Sequence, residues 1–203
     1  MNLRTVKRTV AGPAGDLECA INEPDGAALG LAVVCHPHPL HGGTMDNKVV
    51  VTLARAFLQC GWRSVRFNFR GIGGSGGEWD EGRGEIDDAR AVIAALRVGH
   101  EPLALAGFSF GGYVASHVAR AMHPRHLVLV GPASQNFTLA SVPAGTLVIH
   151  GEADEVVPLA ATLDWARPHS LPVVVVPGGG HFFHGQLPLL KSLVLRHLSA
   201  TAH

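Results

Sequence analysis

Short, continuously apolar segments alternate with longer amphipathic segments along most of this 203-residue chain. Apolar runs of this length, bounded by turn residues, are typical of strands that are buried on both faces, as in parallel sheets covered by helices. The pattern predicts strands over residues 29–35, 64–69, 102–106, 127–130, 146–150 and 173–176. It predicts helices over residues 47–59, 84–98, 112–122, 159–166 and 187–198. The alternation indicates an α/β protein with a mostly parallel, doubly wound sheet and helices on both faces.

Two segments of alternating polarity precede this series, at residues 5–10 and 17–22, and flank a Gly-Pro-Ala-Gly turn. They predict an antiparallel amino-terminal hairpin. Because the chain contains no repeats, linkers or low-complexity segments, we expect a single domain over residues 1–203. The segment 133–144, between two predicted strands, is too short to form a cap domain. We therefore expect an open site at the carboxyl edge of the sheet.

The balance of charges excludes several classes of partner. Lys plus Arg equals Asp plus Glu at 16 each, so the formal net charge is zero. Such a chain lacks the basic excess that attracts nucleic acid or anionic membranes, and we expect neither as a partner. No apolar run reaches the length of a membrane span, and no signal-peptide pattern follows the first residues, so we expect a cytoplasmic protein. The widely spaced Cys19, Cys35 and Cys60 predict reduced thiols rather than disulfides.

The residues 107–111 read Gly-Phe-Ser-Phe-Gly and lie between the predicted strand 102–106 and the predicted helix 112–122. A serine at a strand-to-helix turn, with glycine two positions before and two positions after, matches the GxSxG nucleophile elbow. That turn presents the serine hydroxyl at the carboxyl edge of the sheet. Ser109 is therefore the candidate nucleophile, and it requires a general base and a carboxylate that orients the base.

The two partners of the nucleophile are expected later in the chain, the acid first and the histidine last. The loop after the strand 146–150 contains Asp154, with Glu152 and Glu155 as alternatives. The glycine-rich loop after the strand 173–176 contains His181, with His184 as the alternative. Both loops leave the carboxyl ends of predicted parallel strands, so their side chains can meet at one edge.

Two backbone amides must also stabilise the oxyanion of the tetrahedral intermediate. The first is expected from Phe110, which follows the nucleophile, and the second from the loop after the strand 29–35. Because Pro37 and Pro39 have no amide hydrogen, His38 is the predicted second donor and Leu40 is the alternative. Aromatic residues close to these motifs are candidates for an apolar substrate pocket: Phe108, Trp79, Phe137 and Phe182.

Two other patterns suggest a dinucleotide site and a metal site, but the sequence supports both less well than the serine triad. The segment 71–76 fits the dinucleotide fingerprint GxGxxG, but residues 77–82 separate it from the next helix, whereas the fingerprint opens a helix directly. His36, His38 and His41, with Asp46 nearby, are close enough in sequence for a metal site. The alternating prolines fix an extended backbone that need not bring the imidazoles together. We therefore expect no cofactor and no metal, and a structural role for His36.

Together these motifs resemble the α/β-hydrolase superfamily, and more closely the small, cap-less bacterial serine hydrolases of the dienelactone-hydrolase-like group. The resemblance rests on residues 36–47, 68–73, 107–111, 150–158 and 180–183. It implies the fold, the triad of Ser109, Asp154 and His181, and hydrolysis of an acyl or similar bond. Dienelactone hydrolases have a cysteine at the position of Ser109, so their substrate is not implied.

The sequence therefore predicts a serine hydrolase that cleaves a small ester-type bond through an acyl-enzyme intermediate. Its expected partner is a small acyl substrate. An acyltransferase or a thioesterase would use the same triad, and a catalytically inactive binding module is the non-enzymatic alternative.

Overall fold

The computed structural model describes residues 5–200, which form eight strands and five α-helices. The strands are β1 (Thr5–Gly12), β2 (Gly15–Asn22), β3 (Leu31–Cys35), β4 (Arg63–Phe67), β5 (Leu103–Phe108), β6 (His126–Val130), β7 (Leu147–Gly151) and β8 (Val173–Val176). The helices are α1 (Lys48–Gln59), α2 (Arg83–Leu96), α3 (Phe110–Met122), α4 (Leu159–Ala166) and α5 (Leu187–Ala200). Short 3-10 helices, which the sequence did not predict, occupy Pro39–His41 and Arg167–His169.

All eight strands form one sheet in the order β1-β2-β4-β3-β5-β6-β7-β8. The strand β2 pairs antiparallel with both β1 and β4, and every later pair is parallel. This topology confirms the predicted fold class, a mostly parallel sheet with an antiparallel amino-terminal hairpin. Across residues 5–200, no helix combines the length and the apolar character needed to cross a membrane.

The two faces of the sheet carry separate apolar cores. The helices α2 and α3 pack on one face, and α1 and α5 pack on the other. In β3, the neighbouring residues Val33 and Val34 belong to opposite cores and both are fully buried. A strand buried on both faces has no polar side, which is why the central strands are continuously apolar in sequence.

The predicted bounds of the strands and α-helices agree with the structure to within two residues. The difference in bounds that matters most lies at the elbow, where β5 continues to Phe108 and α3 begins at Phe110. Ser109 is therefore the single residue between strand and helix. The cysteines carry free thiols, with Cys19 and Cys35 buried and Cys60 half-buried.

A buried ion pair joins α2 to the turn that follows β4. Asp88 is fully buried and accepts hydrogen bonds of 2.7–3.2 Å from the backbone amide and the guanidinium of Arg70. The same guanidinium donates to the carbonyl oxygen of Gly84 at 2.7 Å. A methyl group on Gly84 would lie 2.0 Å from the guanidinium, so the glycine leaves the space that this side chain fills. The pair fixes the turn that leads from the end of β4 along the carboxyl edge of the sheet.

We expect Asp88→Ala to lower the free energy of unfolding by about 3–5 kcal/mol, because it leaves the Arg70 guanidinium buried without its carboxylate. The neighbouring Asp87 supplies a matched control, since it is exposed and pairs only with the exposed Arg90. Asp87→Ala should change the free energy of unfolding by no more than about 1 kcal/mol. Urea unfolding at neutral pH measures both values, and equal effects of the two substitutions would contradict the assignment.

Candidate active site

Ser109 has an unusual backbone conformation, with φ 55° and ψ −119°. Such angles strain a residue that carries a side chain, and they persist only where the neighbours hold the backbone in place. The Ser109 amide donates to the carbonyl of Val130 at 2.9 Å. A methyl group on Gly107 would lie 2.0 Å from the carbonyl oxygen of Gly111, and one on Gly111 would lie 2.2 Å from that of Cys35. Both glycines of the elbow are therefore required by close contact between backbone segments.

The elbow opens into a cavity of about 170 Å³ at the carboxyl edge of the sheet. Ser109 is 7% exposed and lines this cavity together with His181. Among residues 5–200, no hydrogen bond joins the Ser109 hydroxyl to His181. The structure therefore brings the candidate nucleophile and the candidate base to one cavity, from loops that are far apart in the chain.

The buried Asp154 orients the imidazole of His181. The Nδ1 atom of His181 lies 2.7 Å from Oδ2 of Asp154, and we assign the proton to Nδ1, which donates to the carboxylate. The other carboxylate oxygen accepts hydrogen bonds from the amides of Val156 and Val157 at 2.9 and 2.8 Å. Burial by itself would raise the pKa of Asp154, but these hydrogen bonds outweigh it and hold the pKa below its usual value. The carboxylate is therefore ionised at neutral pH.

The alternative acids and the alternative base lie elsewhere. Glu152 is exposed and its carboxylate accepts a hydrogen bond from the amide of Gly178, so it holds the next loop. Glu155 and His184 are exposed as well. Within residues 5–200, only Asp154 contacts His181 through a carboxylate–imidazole hydrogen bond. This contact favours Asp154 and His181 over the other candidates.

A second histidine, which the sequence analysis did not single out, adjoins the same carboxylate. His150 is fully buried at the end of β7, and its Nε2 atom lies 2.8 Å from the carbonyl oxygen of Val157. This Nε2 atom also lies 3.5 Å from Oδ2 of Asp154. Burial lowers the pKa of His150, so the ring is neutral and donates from Nε2 to the carbonyl. His150 thus ties the loop that carries Asp154 back to the sheet.

The loop after β3 supplies the second candidate oxyanion donor. In the part of the chain that the structure describes, the amides of Phe110 and His38 have no hydrogen-bond acceptor, and both residues line the cavity. The amide of Leu40 instead donates to Nδ1 of the His38 ring at 3.2 Å, so the alternative donor is already engaged. The loop is compact because the amides of His41 and Gly43 both donate to the carbonyl of His38. Its geometry favours His38 over Leu40.

Comparisons with known proteins agree with this geometry. A family model described as serine aminopeptidase, S33, matches residues 37–141, a segment that includes the elbow and ends before Asp154 and His181. A serine hydrolase without a lid from Xanthomonas campestris is 38% identical, with a TM-score of 0.89 over 98% of this chain and 96% of that one. The chain belongs to the α/β-hydrolase superfamily. Family and fold support hydrolase activity.

Two further relatives align with this α/β hydrolase over most of the length of both proteins. A serine hydrolase homologue from Coxiella burnetii is 41% identical, with a TM-score of 0.86 over 95% of this chain and 97% of that one. The uncharacterized protein RP471 of Rickettsia prowazekii is 32% identical in an alignment of 189 positions that covers 85% of this chain and 79% of the relative. The likeness therefore includes both halves of the sheet and both loops that follow the elbow.

Two of the four aromatic residues predicted to line the pocket of the hydrolase do so, namely Phe137 and Phe182. The prediction was wrong for Phe108 and Trp79. Phe108 is the last residue of β5 and is fully buried. Its ring packs 4.8 Å from the ring of His181, so it contacts the imidazole from within the core. The Trp79 ring packs against the ring of His38 at a centroid distance of 4.6 Å, outside the residues that line the cavity.

Several lining residues were not predicted from the sequence, among them Asn47, Ala133, Asn136, Val156 and Val157. The two valines follow Asp154 in the same loop, so their position next to the candidate acid could have indicated them. Asn47 ends the motif 36–47 without a predicted role, and Ala133 and Asn136 belong to no motif; the order of the strands brings these three to the cavity.

His36 anchors the loop after β3, which carries the candidate oxyanion donor His38. The amide of Phe69 donates to its Nε2 atom at 3.0 Å, and its Nδ1 atom lies 2.6 Å from the carbonyl oxygen of Pro37. Both ring nitrogens are therefore engaged with the backbone. Within residues 5–200, no three His, Cys, Asp or Glu side chains are grouped as metal ligands would be. Burial lowers the pKa of His36 to about 4, so the ring is neutral at pH 7.

The low pKa of His36 predicts a loss of stability in mild acid. The unfolded chain takes up a proton near pH 6.5 that the folded chain does not accept until about pH 4, so stability falls as the pH falls through this window. Between pH 7 and pH 5 this single group should lower the free energy of unfolding by about 2 kcal/mol.

His36→Gln keeps an acceptor for the Phe69 amide but does not titrate. We expect the difference in unfolding free energy between pH 7 and pH 5 to be about 2 kcal/mol smaller in this variant than in the wild type. The control is His100→Gln, at an exposed position in the turn before β5, which should retain the wild-type difference. Urea titrations at the two pH values measure it, and a His36→Gln variant with the full pH dependence would exclude this role.

Proposed function

We propose that this α/β hydrolase is a serine esterase that cleaves esters of small acyl groups through an acyl-enzyme intermediate. The observation that carries the proposal is the strained Ser109, which shares a cavity with His181, whose far ring nitrogen is bound to the buried Asp154. Ser109 acts as the nucleophile, His181 as the general base and acid, and Asp154 orients the imidazole.

The reaction follows from this arrangement in two steps. In the first, His181 Nε2 accepts the Ser109 proton while Oγ attacks the ester carbonyl, and the amides of Phe110 and His38 stabilise the oxyanion. The imidazolium, stabilised by Asp154, then protonates the alcohol as its bond to the acyl carbon breaks. In the second step, water attacks the acyl-enzyme with His181 as the base and releases the acid. Catalytic hydrogen bonds are commonly long before substrate binds, which fits the separation of Ser109 and His181.

The size and walls of the cavity support a small, neutral acyl group. Its volume of about 170 Å³ corresponds to about six water molecules at the volume each occupies in the liquid. Ala133, Phe137 and Val157 contribute apolar walls, and the polar groups beside them are imidazoles and amides. Aminopeptidases, which the family description names, bind a protonated amine. The cavity walls suit an uncharged acyl chain better than an ammonium group.

Ser109→Ala should reduce kcat/KM for a short-chain ester such as p-nitrophenyl butyrate by about 10⁴-fold or more, because no other group replaces the nucleophile. Ser134→Ala is the matched control, since Ser134 lies on the neighbouring loop after β6 and its hydroxyl contacts Thr162 at 3.1 Å. A fluorophosphonate probe should label the wild type and the control at Ser109 and should not label Ser109→Ala. Ester turnover by Ser109→Ala at the wild-type rate would refute the proposal.

A further inference from the structure

The catalytic cavity continues into a second groove of about 300 Å³. The two spaces share three residues, Gly42, Asn47 and Phe182. The shared residues place the two spaces side by side. The proposed ester function assigns an occupant to the first space only.

The groove carries charged side chains that the cavity lacks. Besides Val49, its remaining walls carry a hydroxyl, a carboxylate, an ammonium and an imidazole group, from Thr44, Asp46, Lys48 and His184. These groups donate and accept hydrogen bonds in several directions, as a ligand with several hydroxyl groups requires. Among the described residues that line the cavity there is no lysine, arginine or carboxylate.

One side of the groove is held in place before any ligand binds. The Asp46 carboxylate accepts a hydrogen bond of 2.8 Å from Nη1 of the buried Arg66. The same nitrogen donates to the carbonyl of Met45 at 2.8 Å. A wall that is already ordered loses less entropy when a ligand binds to it.

The chemistry of the reaction determines which part of the substrate reaches the groove. The general acid protonates the oxygen of the departing alcohol, so the alcohol must lie beside His181. Phe182 follows His181 directly, and their ring centroids are 5.1 Å apart. The Phe182 ring also lies 5.9 Å from the ring of His184, in the groove. A path from the leaving oxygen along Phe182 therefore enters the groove.

The acyl group is expected on the other side of the nucleophile. The ring of Phe137 packs 5.1 Å from the ring of Phe110, whose amide is the proposed oxyanion donor. Phe137 lines the cavity and not the groove. The oxyanion donor thus adjoins an aromatic wall on the acyl side, and the general acid adjoins polar walls on the alcohol side.

We propose that the groove binds the leaving alcohol, and that the substrate is a short-chain acyl ester of an alcohol with several hydroxyl groups. This inference rests on the proposed esterase function. Lys48, His184 and Asp46 are specificity-determining residues for the alcohol, and Phe182 separates the alcohol from the acyl chain.

The test compares two esters that differ only in the alcohol, 1-monobutyrylglycerol and propyl butyrate. Both form the same butyryl-enzyme, so any difference in kcat/KM arises in binding and acylation. The ratio of the two alkaline hydrolysis rates corrects for the chemical reactivity of the esters. We expect the wild type to favour the glycerol ester by about 10-fold beyond this chemical ratio, as roughly one or two additional hydrogen bonds allow.

Variants then locate the preference. Lys48→Met and His184→Ala should each lower the ratio of glycerol ester to propyl ester at least about threefold. Lys7→Met is the matched control, because Lys7 is an exposed lysine on the edge strand β1 that pairs with Glu18, and its ratio should equal that of the wild type. Phe137→Leu should alter the preference between butyrate and hexanoate esters of propanol and keep the alcohol ratio.

The outcomes separate this inference from the function on which it rests. A wild-type ratio equal to the chemical ratio, with Ser109-dependent hydrolysis of both esters, overturns the groove assignment and leaves the esterase intact. A preference that Lys48→Met and His184→Ala both retain also overturns it. Ser109-independent hydrolysis, or hydrolysis of neither ester, overturns the proposed function and the inference together.

Discussion

The site depends on one backbone contact, between the start of α3 and the end of β3. The position of a methyl group on Gly111 lies 2.2 Å from the carbonyl oxygen of Cys35 and 2.6 Å from that of His36, so only glycine permits this approach. Because β3 and β5 are adjacent in the sheet, the contact joins the strand before the proposed nucleophile to the loop that carries the proposed second oxyanion donor. The proximity of Ser109 to the loop of His38 follows from this packing.

Burial has opposite consequences for the charged and neutral groups around the nucleophile. Asp154 remains ionised in a buried position because two amides and one imidazole donate to it. Arg70 and Asp88 satisfy each other in the same way on the other side of the rim. Where no opposite charge is at hand, as for His36, the buried ring is neutral instead. Each of these buried charges thus has a partner.

Local periodicity was sufficient to predict the helices and strands, because residues such as Val33 and Val34 reveal in sequence that both faces of a strand are buried. Chain order was sufficient to nominate Asp154 and His181. The sequence could not show which way a side chain points or which distant residues lie beside it. Phe108 adjoins the nucleophile in sequence, yet it points into the core because successive strand residues alternate between faces. Trp79 contacts the site through the rings of His38 and Phe110, and both contacts depend on how the turn after β4 folds.

Two buried histidines hold the functional loops at opposite ends of the site by the same means. His36 follows β3 and contacts the backbone at Pro37 and Phe69, whereas His150 ends β7 and donates to the carbonyl of Val157. A neutral imidazole suits both places: His36 uses one donor and one acceptor, and His150 uses its donor. Burial lowers the pKa of both rings, so both loops are held firmly at neutral pH. Acid strong enough to protonate His36 removes the acceptor for the Phe69 amide, and it therefore loosens the loop after β3.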